Sequence, residues 1–103
     1  MKITVNIIYS GKDTDALHFI SEMLDKGVVD RIRAQAGNLR YDYFVPVGDD
    51  HSILLIDEWE SQEAIDRHHQ SDMMKEIAEL RQKYQLKMKV RRFYDEKEVE
   101  LNK

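Results

Sequence analysis

Apolar and polar positions alternate over residues 3–9 of the chain, where Ile3, Val5, Ile7 and Tyr9 share one face. This period of two is typical of a strand with one buried face. Apolar residues at three- and four-residue spacing follow over 16–32, which predicts an amphipathic helix that Gly27 bends or splits. The helix is expected to end at residues 36–38, because Gly and Asn tolerate the left-handed conformation found there.

The second half of the chain repeats this succession of patterns. Alternation and apolar runs predict strands, and the Gly48-Asp49-Asp50 sequence predicts a hairpin turn between two of them. Serine residues precede two further helical stripes, as helix caps do. The elements predicted in this half are strands over 39–47, 52–59 and 86–91, and short helices after Ser61 and Ser71.

The order strand, helix, strand, strand, helix, strand predicts an α+β fold of the ferredoxin-like βαββαβ type. We expect residues 1–95 to form this domain, with a four-stranded antiparallel sheet and helices on one face, and residues 96–103 to be a charged tail. Ile8, Leu54 and Ile56 would then lie on the uncovered face. A second copy of the same sheet is the economical cover, so the sequence predicts a homodimer that forms a dimeric α+β barrel.

Composition narrows the functional classes. The 103 residues carry a net charge of −4, which argues against nucleic acid or an anionic membrane as partner. Cysteine is absent, which excludes disulfides and thiolate chemistry. The N-terminus lacks the apolar core of a signal peptide, and no membrane span is visible, so a cytoplasmic location is expected. No phosphate-binding loop or dinucleotide fingerprint is present, so no nucleotide cofactor is expected.

Three short motifs occur in a fixed order. They are Gly37-Asn38-Leu39 followed by Tyr41, then Asp57-Glu58-Trp59, then an Ala64-x-x-x-His68 helix. Together they resemble the antibiotic biosynthesis monooxygenase family of dimeric α+β barrels. The chain differs from that pattern at two positions: Asp57 stands where Glu is usual, and Met73 stands where a second His is common.

This resemblance implies a cofactor-independent monooxygenase that oxidises a small quinol- or anthrone-like aromatic with O₂. No cofactor would be needed, because the deprotonated substrate is itself the reductant. Two alternatives remain open. One is different chemistry in the same fold, either haem binding and degradation or isomerisation. The other is a non-enzymatic, small-molecule-binding dimer of a stress response.

Asn6, His68 and Trp59 are the candidate catalytic residues. Asn6 lies on the strand face opposite Ile3 and Val5, where its amide would hold a substrate oxygen inside the barrel or simply face solvent. His68 has the pKa range of a general base, although a helix histidine is also often inert. Trp59 would wall a pocket for a flat substrate, or belong to the core.

Tyr41, Asp57 and Met73 are the expected substrate-pocket residues, although a buried acid needs a partner, which favours salt bridging within the fold as the role of Asp57. If Asn6 and His68 act on one substrate, both must reach the same cavity. The sequence therefore predicts a pocket that opens near the end of the third strand, with Asn6 at its floor and His68 at its rim.

Overall fold

The computed structural model describes residues 1–95, so the predicted charged tail at 96–103 lies outside the described residues. Four strands and four helices follow the predicted order, with the first predicted helix divided into two and two short helices after Ser61 and Ser71 as predicted. The elements are β1 Ile3–Ser10, α1 Asp15–Asp25, α2 Val28–Arg33, β2 Asn38–Phe44, β3 Ser52–Trp59, α3 Gln62–His69, α4 Asp72–Lys83 and β4 Lys87–Tyr94.

The strands form one antiparallel sheet in the order β2-β3-β1-β4. This is the predicted ferredoxin-like α+β architecture, and it is confirmed. The two central strands, β1 and β3, pair over their full length, from Ile3 opposite Trp59 to Ser10 opposite Ser52. The motif residues at the end of β3 therefore lie beside the start of β1, in the middle of the sheet.

Gly27 divides the predicted long helix into α1 and α2. Its φ of 70° lies in the left-handed region, which glycine adopts without the steric cost of a Cβ atom. The chain changes direction there, and α2 packs beside β2. This turn buries Val28, Val29 and Ile32. In a straight helix these residues would lie farther from the sheet.

The predicted strand over 39–47 is irregular at its start and too long at its end. A β-bulge between Asn38 and Arg40 places Leu39 outside the regular pairing, and 53% of its surface is exposed. The strand ends at Phe44, and Val47 in the following loop is fully exposed. The apolar alternation in the sequence therefore continues beyond the last residue of β2 that pairs with β3.

The two faces of the sheet have different environments. Along β3, burial alternates strictly, and Ile53, Leu55, Asp57 and Trp59 face the helices. The opposite face, which we call the open face, carries no helix in the described part of the chain. Its apolar side chains are partly exposed and belong to all four strands: Ile8, Phe44, Leu54, Ile56 and Phe93.

Gly37, just before β2, lies in close contact with α3, the helix that follows β3. A Cβ atom at this position would lie 2.5 Å from Cβ of Ala64 on α3, and its φ is +87°. Gly37 also accepts a backbone hydrogen bond from Glu60 through its carbonyl oxygen, at 2.9 Å. Both α3 and the start of β2 are held in place by this close approach.

We predict that Gly37→Ala destabilises the protein more than Gly48→Ala. Gly48 has a similar φ of +82°, but a Cβ atom added there would have no neighbour within 4 Å, so it isolates the backbone strain of about 1 kcal/mol. At Gly37 a steric overlap adds about 1–3 kcal/mol. Urea unfolding of both variants measures the difference, and equal losses of stability would contradict the role of the close approach.

Candidate active site

A cavity of about 240 Å³ lies between the helix-facing side of the sheet and helices α3 and α4. Its sheet wall is mainly apolar and includes Val5, Ile7 and Leu55. The opposite wall is formed by one side of α4, with Met74, Ile77 and Ala78. Since an engineered cavity of about 150 Å³ holds benzene, this volume suits one or two aromatic rings.

The cavity is closed at β3 and open at β4. Leu55 and Asp57 on β3 are buried, whereas Met88 and Val90 on β4 are 45% and 50% exposed. The helices extend over β2, β3 and β1 and leave the helix-facing side of β4 partly uncovered. The mouth therefore lies between α4 and β4, and the prediction of a pocket that opens at the end of the third strand is wrong.

Asp57 is a buried carboxylate at the closed end. Its Oδ2 accepts a hydrogen bond of 2.8 Å from Nε1 of Trp59, while its Oδ1 is buried without a hydrogen-bond partner. Burial raises the pKa of Asp57 to about 6, although the indole hydrogen bond favours the charged form. Asp57 forms no salt bridge within residues 1–95, so the expectation of salt bridging is wrong.

His68 packs directly on the other side of Trp59. The two rings are stacked with centroids 4.7 Å apart and planes 26° from parallel. Nδ1 of His68 lies 2.8 Å from Oε1 of Gln35. An amide oxygen only accepts, so Nδ1 carries the proton and Nε2 keeps its lone pair. Burial, and to a smaller extent the charge of His69, lowers the pKa of His68 to about 4, so it is neutral at physiological pH.

Local sequence explains how Trp59 and His68 meet. Trp59 is the last residue of β3, and Ser61 caps α3 immediately afterwards by accepting a hydrogen bond of 3.1 Å from the Ala64 N–H. This cap fixes where the helix starts, and His68 falls two turns later on the face that packs on the indole. Ala64 is buried on that same face, against Gly37.

Two tyrosines lie near the carboxylate. Tyr9 and Tyr41 both line the cavity and are almost fully buried. Burial raises the pKa of Tyr9 to about 12 and that of Tyr41 well above its ordinary value, and the Asp57 charge adds to both shifts. Both phenols therefore stay protonated and serve as neutral hydrogen-bond groups. The hydroxyl of Tyr41 lies 3.4 Å from that of Tyr43.

Within residues 1–95, no group of three or more His, Cys, Asp or Glu side chains is arranged to hold a metal ion. In the same part of the chain, no helix is long and apolar enough to cross a membrane.

Comparison with known proteins assigns the chain to a family. The model of the family described as "Antibiotic biosynthesis monooxygenase" matches residues 3–80, about three-quarters of the chain. The chain belongs to this family. No curated protein sequence matches the chain significantly.

Several solved structures have a similar fold. A candidate antibiotic biosynthesis monooxygenase from Deinococcus radiodurans superposes with a TM-score of 0.81 at 13% identity, with all of both chains covered. SnoaB, a cofactor-independent oxygenase from Streptomyces nogalater, gives a TM-score of 0.80 at 14% identity, covering 95% of this chain and 96% of SnoaB. A Pseudomonas aeruginosa protein gives 0.79 at 22% identity, covering 93% and 95%. At such low identities these similarities show a shared fold only.

In this member of the antibiotic biosynthesis monooxygenase family, Asn6 and His68 do not converge. Val5 and Ile7 line the cavity, so the alternation of β1 places Asn6 on the open face, where its Oδ1 is buried without a partner. The sheet itself separates Asn6 from His68. The prediction that the two residues share a cavity is therefore wrong, and Asn6 does not belong to the cavity described here.

The other candidate residues are divided between the cavity and its surroundings. Tyr41, Asp57 and His68 line the cavity. Trp59 is fully buried behind His68 and does not form part of the lining, so its effect on the cavity passes through its two neighbours. Met73 packs against the core outside the cavity, and Met74 lines it instead, because one residue turns a helix position by about 100°.

Sequence reasoning missed the polar residues around the mouth, Arg81, Arg92 and His69. Arg92 continues the β4 face of Met88 and Val90, so extending the strand pattern by one residue would have found it. His69 follows His68 directly on α3 and also lines the cavity, and the two rings lie 5.8 Å apart. No sequence pattern on α4 distinguishes Arg81 from the other charged residues of that helix. Its place at the mouth depends on how α4 packs on the sheet.

We predict that His68 stays neutral down to about pH 5 in the folded protein. Burial against Trp59 opposes the imidazolium form, whereas exposed His51 has its pKa raised, chiefly by the backbone carbonyl of Asp13. The ring-proton chemical shifts of both histidines, followed by NMR against pH, measure the two midpoints. A His68 midpoint at or above that of His51 would contradict the buried, neutral assignment.

Proposed function

We propose that this protein is a cofactor-independent monooxygenase that oxidises a small phenol- or quinol-type aromatic with O₂ in the cavity between the sheet and α4. The observation that carries the proposal is the Asp57 Oδ1 atom, a buried acceptor without a partner in an otherwise apolar cavity. A substrate hydroxyl is the donor that this atom lacks. Family membership supports the monooxygenase-type reaction.

The reaction needs few protein groups. Asp57 takes the proton of the substrate hydroxyl, and the resulting electron-rich anion transfers one electron to O₂. The substrate radical and superoxide combine at a ring CH carbon that is conjugated with the deprotonated oxygen, and Asp57 returns its proton to form a hydroperoxide there. Loss of one water, made of the outer peroxide oxygen and two hydrogens, leaves a carbonyl at that carbon. One oxygen atom of O₂ enters the product and the other leaves in water.

Asp57 suits the role of base better than His68. A general base works best when its pKa is close to the working pH, and the pKa of Asp57 is about 6 against about 4 for His68. Trp59 acts as a positioning residue, because its indole N–H orients one carboxylate oxygen and leaves the other for substrate. His68 supplies a neutral wall whose Nε2 accepts a hydrogen bond.

Cavity size favours this function over the haem alternative. The volume of about 240 Å³ is below the range of ~300–1,000 Å³ that holds drug-sized ligands. A haem macrocycle is too large for a cavity of this volume. The walls are also filled by core residues such as Leu55 and Ile65, which are both buried. A one- or two-ring substrate needs no rearrangement of these residues.

We further propose that the open face of the sheet pairs with that of a second copy, as in the expected homodimeric barrel. Ile8 and Phe44 on this face are 45% and 41% exposed, Leu54 lies between them in the sheet, and Ile56 is the next residue of β3 on the same face. A contiguous apolar surface on a sheet is characteristic of an interface. Such pairing would leave the cavity on the outside of each subunit, since it lies on the opposite side of the sheet.

We predict that Asp57→Asn lowers the rate of hydroquinone-dependent oxygen uptake by about 10²-fold, because the amide cannot accept the substrate proton. The native rate should rise with pH through about 6, where Asp57 becomes ionised. An oxygen electrode and a panel of one- and two-ring hydroquinones, corrected for autoxidation, give both results. Asp66→Asn on the exposed side of α3 is the matched control and should keep the native rate.

An unchanged rate for Asp57→Asn would exclude this carboxylate as the base. If His68→Gln alone abolished uptake, the proton would be assigned to the imidazole. Absence of uptake above autoxidation across the whole panel would contradict the proposed monooxygenase function.

We predict that Ile8→Lys converts the dimer to a monomer, because it buries a charge in the apolar interface of the two open faces. Sedimentation equilibrium at micromolar concentration measures the mass. Val47→Lys, in the loop after β2 and fully exposed, is the control and should leave the mass unchanged. A monomeric native chain at that concentration would contradict the proposed pairing.

A further inference from the structure

A single row of side chains crosses the sheet beneath the cavity. Tyr41 pairs with Asp57, Asp57 pairs with Val5, and Val5 pairs with Arg92. All four residues line the cavity. Neighbouring strands are about 4.8 Å apart, so the backbones of Asp57 and Arg92 are separated by about 10 Å, with Val5 between them. The row thus places an acceptor at the closed end, an apolar surface in the middle and a cation at the mouth.

Arg92 and Arg81 form the cationic side of the mouth. Neither guanidinium takes part in a salt bridge within the described residues 1–95. Arg92 donates to the hydroxyl of Tyr94 at 3.3 Å, and Arg81 reaches across the mouth to Sδ of Met88 at 3.8 Å. Both contacts are weak for a guanidinium, which prefers a carboxylate or phosphate partner.

The ends of the cavity therefore select opposite ends of a ligand. An anionic group is disfavoured at the closed end, because the Asp57 carboxylate is buried there and forms no salt bridge within residues 1–95. The same group is favoured at the mouth, where two arginines are available. A hydroxyl group is favoured at the closed end, because Asp57 Oδ1 lacks a donor.

We propose that the substrate is an aromatic hydroxy acid of one or two rings, with its hydroxyl on Asp57, its ring on Val5 and its carboxylate on Arg92 and Arg81. This inference rests on the proposed function for the reacting end and adds the substrate class. The ring lies flat over the apolar wall, and the carboxylate stays at the solvent side, where its desolvation is small. Arg92 sets the orientation, because it lies in the same row as Asp57.

The test compares 6-hydroxy-2-naphthoate with its methyl ester, which has the same rings and hydroxyl but carries a methyl group in place of the negative charge. Isothermal titration calorimetry at low salt should give an affinity for the acid that is at least about 10-fold higher than for the ester. Arg92→Gln should lower the affinity for the acid by about 10–100-fold and leave that for the ester unchanged, because a charge-assisted hydrogen bond is lost only with the acid. Arg92→Lys should restore part of the affinity.

Arg67→Gln is the matched control, because Arg67 lies beside His68 in sequence but is exposed on the outer side of α3. It should not change the affinity for either ligand. The inference is overturned if acid and ester bind equally, or if Arg92→Gln weakens both to the same extent. Melting curves of each variant verify that the fold is retained.

The two proposals fail in different ways. Tight binding of the acid without any oxygen uptake would support the anionic ligand class and contradict the monooxygenase function. Oxygen uptake with neutral hydroquinones alone, with no preference for their carboxylated forms, would support the function and overturn the ligand class.

Discussion

The indole of Trp59 makes the two contacts on which the geometry of the site depends. Its N–H donates to one oxygen of Asp57, and its ring packs on His68. Because the indole is fully buried, neither neighbour can move without disturbing the core. The carboxylate is thereby held with one oxygen satisfied and the other free, and the imidazole is held neutral with its Nδ1–H directed at Gln35.

This arrangement has a cost in stability. Asp57 has a pKa of about 6 in the fold against 3.8 for a free carboxyl, so the folded protein binds this proton more tightly than the unfolded chain. Its contribution to stability is therefore greatest at low pH and is lost as the pH rises from about 4 to about 6. A shift of this size corresponds to about 3 kcal/mol. Proteins commonly accept such a loss of stability at sites where a reactive group must be desolvated.

Coverage of only one sheet face divides the molecule into two functional regions. The helix-facing side contains both the core and the cavity, and the open face contains Asn6 and the apolar side chains that we assign to pairing. Since α4 leaves β4 partly uncovered, the cavity opens at the edge of the sheet, away from the proposed interface. Binding and pairing can therefore take place on opposite sides of the same four strands.

The sequence by itself determined the order of the elements, the ferredoxin-like class, the two faces of β1 and the motif residues Asp57, Trp59 and His68. These follow from local periodicity, caps and turn residues, which depend on neighbours along the chain. The tertiary structure alone decided where the cavity lies, that Asn6 is separated from it, and that Arg81 and Arg92 lie at its mouth. Those facts depend on which sheet face the helices cover and how far α4 extends over β4, and packing between distant segments settles both.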